Sequence, residues 1–493
     1  MLRPDMPRRR RASPAAVSSR LPLALVLVLA GCSLAPPYQA PAVPVASSYQ
    51  NVPADCDMWQ AAQPSDRLAR DHWWQVYHDA QLDRLQQRLL AQNADLAAAL
   101  AHYRQAQAFD QQSRATLFPA VGASANGQRN RESDTRPLRG ATAPAEYNSF
   151  TVGADVDYEL DLWGRIRNTV EASKAETQAS AADLASAQLS LQAQLADHYI
   201  QLRGLDQQIA LFRQSIDAYQ KALSLTQNLH SGGIVSGLDV ARAQSQLASA
   251  RSLCAQAQAQ RALVQDAIAV LVGASASSFT LAAQADPISL PPVPVGVPST
   301  LLQRRPDIAA AERRVAEANA RIGIARAAYF PSLTLSAQGG FQSDRYPGLL
   351  TAPNHFWAIG PSLFETIFDG GRRKAGVRAA RAATDEAGAR YRSVALNAFA
   401  QVEDNLAQID HLGVARGDQK DAADAAKHAL ELSMARYKQG AVSYLDVVQA
   451  QTTALDAQRS LLSLDTSQLR ASVQLIKALG GGWTTADLPA GKR

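Results

Sequence analysis

A chain of 493 residues has room for two or three ordinary domains, and a hydrophobic content of 47% excludes a wholly disordered polymer. Aromatic residues make up only 6%, while Ala, Gln, Leu and Arg are abundant, the profile of long and closely packed helices. The net charge of +5 belongs to the N-terminus: residues 1–31 hold six arginines (Arg3, Arg8, Arg9, Arg10, Arg11 and Arg20) against Asp5, which is again +5, so the rest is near neutral. Nucleic-acid binding, which needs a basic surface on the folded part, is discarded on that ground.

In chain order, the first element predicted is an export signal over residues 1–31. Arg3 and Arg8 to Arg11 form its basic region and Leu21 to Ala30 its apolar core, followed by small residues. That core is too short for a stop-transfer span. Met1 and Met6 both stand as possible starts. Leu29-Ala30-Gly31-Cys32 resembles the lipobox of bacterial lipoproteins, whose cysteine is acylated before cleavage, and an ordinary signal peptide with a chance cysteine is the plain alternative. Ser33 follows, where an Asp favours inner-membrane retention, so the expectation is a chain anchored in outer-membrane lipids. Acyl chains contribute about 0.8 kcal/mol per buried methylene, and several on Cys32 make a stable anchor. Cys56 and Cys254 are then the remaining thiols, in an oxidising compartment. Whether they pair is open, although Cys254 lies in a helical run of small residues, where a cysteine acts as a small apolar side chain.

A lipidated extension over 32–70 leads to two similar halves, 71–286 and 301–482, separated by a Pro-rich linker at 287–300 and followed by a tail at 483–493. Proline is absent between Trp163 and Asp286 and between Ser362 and Leu488, which permits very long helices. Three segments recur at offsets near 210 residues. Leu117-Phe118-Pro119 returns as Tyr329-Phe330-Pro331, Asp161-Leu162-Trp163-Gly164-Arg165 as Asp369-Gly370-Gly371-Arg372-Arg373, and Leu238-Asp239-Val240 as Leu445-Asp446-Val447. Such a spacing is a tandem duplication rather than a solenoid array. Leu191, Leu195, Tyr199, Leu202, Leu205, Ile209, Phe212, Ile216, Tyr219 and Leu223 advance by threes and fours, and Val448, Leu455, Leu462, Leu469 and Ile476 by sevens, as coiled-coil helices do. A helix from Arg165 to Leu229 reaches about 100 Å.

Ahead of each long helix the period changes to two. From Thr151 to Trp163, Val152, Ala154, Val156, Tyr158, Leu160 and Leu162 alternate with Asp155, Asp157, Glu159 and Asp161. Leu333 to Gln342 alternates likewise, and Val121 to Gln128 and Phe356 to Asp369 complete four strands of the length a tilted membrane strand needs. The four acids are expected to face a watery lumen. Four strands cannot close a barrel, and a membrane sheet tolerates no unpaired edge, so the chain is expected to oligomerise, three copies giving twelve strands.

The residues resemble the outer-membrane efflux proteins, in the lipoprotein branch serving pumps of the resistance-nodulation-division class. The resemblance spans nearly all of the mature chain. It rests on His72-Trp73-Trp74 with Leu82 and Leu85, Asn93-Ala94-Asp95-Leu96, the two Phe-Pro strand starts, Phe368-Asp369-Gly370-Gly371, and above all Arg304-Arg305-Pro306-Asp307-Ile308 with Glu312. It implies a mostly α fold with a membrane β-barrel part: a homotrimer whose twelve-stranded barrel continues as a helical barrel across the periplasm. It implies too that the periplasmic tip stays closed until a periplasmic adaptor (membrane fusion protein) and an inner-membrane pump engage. The tip residues would be Tyr444, Leu445 and Asp446, with Gly237, Leu238 and Asp239 in the first half. Three copies of Asp446 would make a carboxylate ring favouring cations; the plain alternative is that Asp446 caps the helix starting there. Two departures stand out: Asp79-Ala80 where the family often has Asp-Pro, and Gln449 where many relatives carry an acid.

Enzyme chemistry finds no support. There is no Gly-x-Ser-x-Gly elbow, Walker A loop or His-Glu-x-x-His helix, and the eight histidines have no metal-ligand spacing, so neither a cofactor nor a metal is expected. The expected function is a passive, gated outer-membrane duct of a tripartite efflux pump. The alternatives are the duct of a type I protein-secretion system and a lipidated periplasmic adaptor, which would carry the strand-and-helix unit once rather than twice. The cargo is not legible in the sequence.

Overall fold

The computed structural model describes residues 33–50, 72–133, 144–292 and 301–489. The export signal, Cys32, Cys56 and part of the linker therefore lie outside the described residues. The elements are α1 (Ala80–Gln92), α2 (Ala94–Ala115), β1 (Ala120–Arg131), β2 (Glu146–Leu160), α3 (Arg165–Ser231), α4 (Gly237–Leu271), α5 (Pro306–Ala327), β3 (Ser332–Ser343), β4 (His355–Phe364), α6 (Arg372–Lys438) and α7 (Tyr444–Ala478). Helices α3 and α6 have 67 residues each, about 100 Å at the α-helical rise. The chain divides into two compact units, each built from parts of both sequence halves.

The first unit comprises 110–173 and 317–384 with the described residues before Gln39. It holds one antiparallel sheet in the order β1-β2-β3-β4, with β1 and β4 at the edges. Its register joins the separate alternations into two faces, because directly paired residues project to the same side. Val121, Val156, Ala337 and Ile359 form one cross-strand row, and Gly122, Asp155, Gln338 and Ala358 form the next, on the opposite face. The centre of the sheet is drawn tight: a Cβ on Gly340 would stand 2.2 Å from the carbonyl oxygen of Val152.

Two strand ends differ from the alternation read in sequence. Strand β2 stops at Leu160, because Asp161 turns from the strand to cap α3, accepting from the backbone N–H of Ile166 (3.1 Å) and Arg167 (2.8 Å). Strand β4 stops at Phe364, opposite Ser332, where β3 begins and the ladder runs out of partners. Asp369 caps α6 in the same manner, accepting from the N–H of Gly371 at 2.9 Å and Arg373 at 3.0 Å. The two junctions lock to the Phe-Pro turn before β3. Trp163 stacks on Phe330 at 4.7 Å and donates to the Pro331 carbonyl at 2.8 Å, while the Arg373 guanidinium lies 5.4 Å over the Tyr329 ring.

The second unit comprises 39–109, 174–316 and 385–493, where described. Trp73, Trp74, Leu82 and Leu89 pack with Leu195, Tyr199 and Ile200 of α3, Ile268 of α4, Leu406 of α6 and Leu475 of α7. A second cluster joins Phe212, Tyr219 and Leu223 of α3 to Leu247, Ala250 and Cys254 of α4 and to Tyr437, Tyr444, Val447 and Leu455 of α6 and α7. The seam predicted for α3 is buried or packed against these clusters. On α7 the line is shifted: Val447 is fully buried and Val448 half so.

Buried polar ties hold these helices in register. Asp79 caps α1, accepting from Gln81 and Leu82, and also receives Arg203 of α3 at 2.7 Å. Arg203 further donates to Tyr199 at 2.8 Å and to the carbonyl of Asp286 at 2.8 Å. Ala80 is the first helical position, which accepts Pro or Ala without losing a hydrogen bond, so the Asp-Ala departure leaves this node intact. Arg305 pairs with Asp307 at 2.7 Å and donates to the carbonyl of Ala478 at 3.0 Å, capping the C-terminus of α7. Gly480 follows at φ +95°, and any Cβ there would meet the Arg304 carbonyl oxygen at 2.1 Å.

Replacing Arg203 by Leu strands Asp79 in a nearly dry site, since their side chains are 7% and 12% exposed. A loss of about 3 to 5 kcal/mol is expected on denaturant titration of the solubilised protein, with a smaller loss for Asp79→Asn. A loss below about 1 kcal/mol for Arg203→Leu would show that this node does not tie α1 to α3.

Candidate functional site

Among the described residues no helix is long and apolar enough to cross a membrane. The sheet carries the apolar surface instead. Val121, Trp357, Ile359 and Leu363 lie on its apolar face at 66 to 74% exposure, and Val152 and Leu335 beside them are exposed as well. Monomeric soluble proteins rarely leave such a patch uncovered.

The opposite face carries the acids. Asp155 sits over Gly122, where a Cβ would meet its carboxylate at 2.7 Å, and Asp157 accepts from Ser336 at 2.5 Å. Glu159 is bound by both arms of Arg165, at 2.6 and 2.8 Å. Asp161 belongs to the helix cap and to Arg167 at 3.1 Å. The structure thus separates the four acids read as one row: Asp155 and Asp157 stand on the polar face, Glu159 is neutralised by a neighbour, and Asp161 lies past the strand.

The tip residues fall in the turns joining α3 to α4 and α6 to α7, which repeat one construction. Gly233 (φ +75°) and Gly440 (φ +72°) end the long helices, and the N–H groups of Ile234 and Ala441 return to the carbonyls of Leu229 and Arg436, each at 2.9 Å. The next helix starts on a serine–aspartate box. Asp446 accepts from the N–H and Oγ of Ser443 at 2.9 and 2.7 Å, and Asp239 from those of Ser236 at 3.3 and 2.9 Å. The Ser443 hydrogen bonds, with Arg436 nearby, hold the Asp446 carboxyl below the usual carboxylate range. Asp239 is also 3.4 Å from Arg242. Tyr444 is buried, its ring 5.2 Å from Tyr437, and burial pushes its hydroxyl up to about 12. Leu445 is exposed, as are Ile234 and Leu238 of the other turn.

Sequence reading missed the polar staples behind this tip. Tyr219 donates to the Gln451 carbonyl at 3.2 Å, Gln246 to Thr452 at 3.2 Å, and Thr226 lies 3.5 Å from the Tyr437 hydroxyl. A tyrosine or threonine inside an apolar seam was the available signal. Cys254 is buried in the same cluster. Among the described residues no group of His, Cys, Asp or Glu is arranged to hold a metal.

A sheet with one bare apolar face, in a chain that also forms helices of about 100 Å, is what an outer-membrane channel subunit has. The comparisons agree. The family model for outer membrane efflux protein matches residues 85–274 and 297–481. The antibiotic efflux pump outer membrane protein ArpC of Pseudomonas putida is 34% identical over 460 residues, 92% of this chain and 94% of that one. Of solved structures, the outer-membrane channel OprN matches with TM-score 0.81 at 31% identity, over 92% of this chain and 100% of that one. The Neisseria gonorrhoeae MtrE outer membrane channel, in its open state, matches with TM-score 0.80 at 29% identity, over 92% and 99%. The chain belongs to the outer membrane efflux protein family, and it is an outer-membrane component of an efflux pump. The family is one of channels, not of enzymes.

The Asp446 cap makes a pH test. A carboxyl depressed in the folded state contributes stability above its unfolded value of about 3.9 and loses it as pH falls through the folded value. Amide protection at 444–447 is expected to hold at neutral pH and drop below about pH 4. Asp446→Asn should remove that pH dependence; protection that titrates equally in this variant would assign it elsewhere.

Proposed function

We propose that three copies of this chain close a twelve-stranded barrel in the outer membrane and that the helices extend the duct into the periplasm. The observation that carries this is the four-stranded sheet with an uncovered apolar face and two open edges. In hydrocarbon each unpaired backbone group costs several kcal/mol, so β1 and β4 must find partners, and β4 of one copy pairing with β1 of the next satisfies both. Three copies give an even strand number, with Asp155 and Asp157 towards the lumen.

Acylation of Cys32 at the end of the signal over 1–31, with 32–70 as the lipidated extension and 71–286 and 301–482 as the two repeats, completes the chain's organisation. At the tip, three copies of Asp446 form a carboxylate ring that favours cations and holds the closed gate through hydrogen bonds or ion pairs. The exposed Ile234, Leu238 and Leu445 suit a periplasmic adaptor, which opens the tip when an inner-membrane pump of the resistance-nodulation-division class supplies the energy. Drugs and other small toxic compounds are the proposed cargo, in line with the antibiotic efflux of the Pseudomonas putida relative.

Single-channel recording in planar bilayers tests the duct and its gate together. The wild-type trimer is expected to show a small conductance that rises severalfold in Asp446→Ala. Channels of unchanged conductance would reduce Asp446 to a helix cap, and no channels from folded, acylated protein would defeat the duct itself.

A further inference from the structure

The connector from β4 to α6 and the first turns of α6 carry a feature that the duct does not use. Ile367 and Phe368 are each 87% exposed, with no partner surface among the described residues. Within three turns follow Lys374, Arg378 and Arg381, at i, i+4 and i+7, hence on one face of α6. All three are exposed, and none has a carboxylate of the described residues within ion-pair distance. Asp385 lies one turn further along, where the stripe ends.

The duplication shows that these cations are not demanded by the fold. At the offset that superposes Asp161 on Asp369, the first half has Ile166, Val170 and Ser173 at these positions, buried or half-buried. Uncompensated like charges along one helix face are unfavourable to the isolated helix. Among the described residues none supplies their counter-charge.

The N-terminal segment locates it. Ser33 donates to Asn168 of α3 at 2.9 Å, the Leu34 carbonyl accepts from Arg326 of α5 at 3.0 Å, and the Pro36 carbonyl accepts from Asn319 of α5 at 2.9 Å. Asn168 is the fourth residue of α3 and Arg326 the second from the end of α5, so Ser33 is held at the sheet-proximal ends of these helices, within the same unit as the start of α6. With the acylation proposed above for Cys32, one residue away in sequence, the bilayer surface is taken to lie at that level.

We infer that Lys374, Arg378 and Arg381 bind the anionic headgroups of phospholipids in the periplasmic leaflet, with Ile367 and Phe368 seated among the acyl chains. Apolar residues below and cations above are the arrangement of an interfacial membrane contact. The inference rests on the outer-membrane barrel proposed above. In the assembled pump this contact fixes how deep the channel sits and marks where the membrane ends and the periplasmic duct begins.

The test uses the full-length acylated protein in nanodiscs of phosphatidylethanolamine and phosphatidylglycerol, with the retained lipid weighed by mass spectrometry after delipidation. Wild type should retain phosphatidylglycerol above its bulk share, less so at high salt. The triple variant Lys374→Gln, Arg378→Gln, Arg381→Gln should lower that enrichment by about a hundredfold, at about fivefold per cation. Ile367→Ser with Phe368→Ser should lower total retained lipid with the anionic preference intact. Planar-bilayer recordings of the same proteins separate the possible failures. An unchanged enrichment overturns the inference, and so does a shift in the channel's ion selectivity with enrichment unchanged, which would place the stripe in the lumen. Absence of conductance from every protein, wild type included, is instead a failure of the barrel reading.

Discussion

In the membrane barrel proposed above, a backbone N–H or C=O facing hydrocarbon has no water to turn to, and this requirement would organise the first unit. Strands of 10 to 15 residues satisfy one another inside the sheet, and only the outer edges of β1 and β4 are left. The paired register puts every outward apolar side chain in line with its neighbours, so a weak alternation in β1 becomes part of a continuous apolar face once Val121 stands opposite Val156. Where that requirement ends, the chain changes period, and Asp161 and Asp369 mark both places. Each carboxylate supplies acceptors for the first N–H groups of a helix, which is what a chain leaving a sheet lacks.

Helices of 67 residues built largely from small and polar side chains slide easily against one another. Regular apolar seams do not specify one register over another, whereas a buried charge has only one place where it is satisfied. Arg203 with Asp79 and the Asp286 carbonyl, and Arg305 with Asp307 and the Ala478 carbonyl, fix α3 and the C-terminus of α7 against connecting segments, and Arg261 with Asp206 fixes α4 against α3. Such pairs add little net stability but penalise misalignment heavily. The Arg-Arg-Pro-Asp segment is thereby explained as a C-cap for a helix that ends more than 170 residues later.

The tip follows the opposite logic. Its polar groups are satisfied within single turns, by Ser443 for Asp446 and Ser236 for Asp239, so the turn is stable by itself and makes few demands on its neighbours. Cross-helix ties there are few and weak, with Tyr219, Thr226 and Gln246 each contributing one. Local caps and sparse staples suit the gate proposed above, because the helices can part without leaving buried charges unpaired.

Sequence alone determined the elements and their kinds, since period, proline and local capping residues act over a few positions. The two long helices, the four strands, the duplication and the family resemblance were all legible from residues such as Asp161, Phe330 and Asp369. It placed Tyr444, Leu445 and Asp446 at a turn but not their different fates, with Tyr444 buried, Leu445 exposed and Asp446 held by Ser443. Tertiary structure decided the separate fates of the alternating acids, with Asp155 and Asp157 on the sheet's polar face, Glu159 paired with Arg165 and Asp161 past the strand as a helix cap. It also decided that the compact units mix the two sequence halves, and that Lys374, Arg378 and Arg381 have no counter-charge at ion-pair distance among the described residues. Both are long-range facts, set by which distant segments share a surface, and no local pattern encodes them.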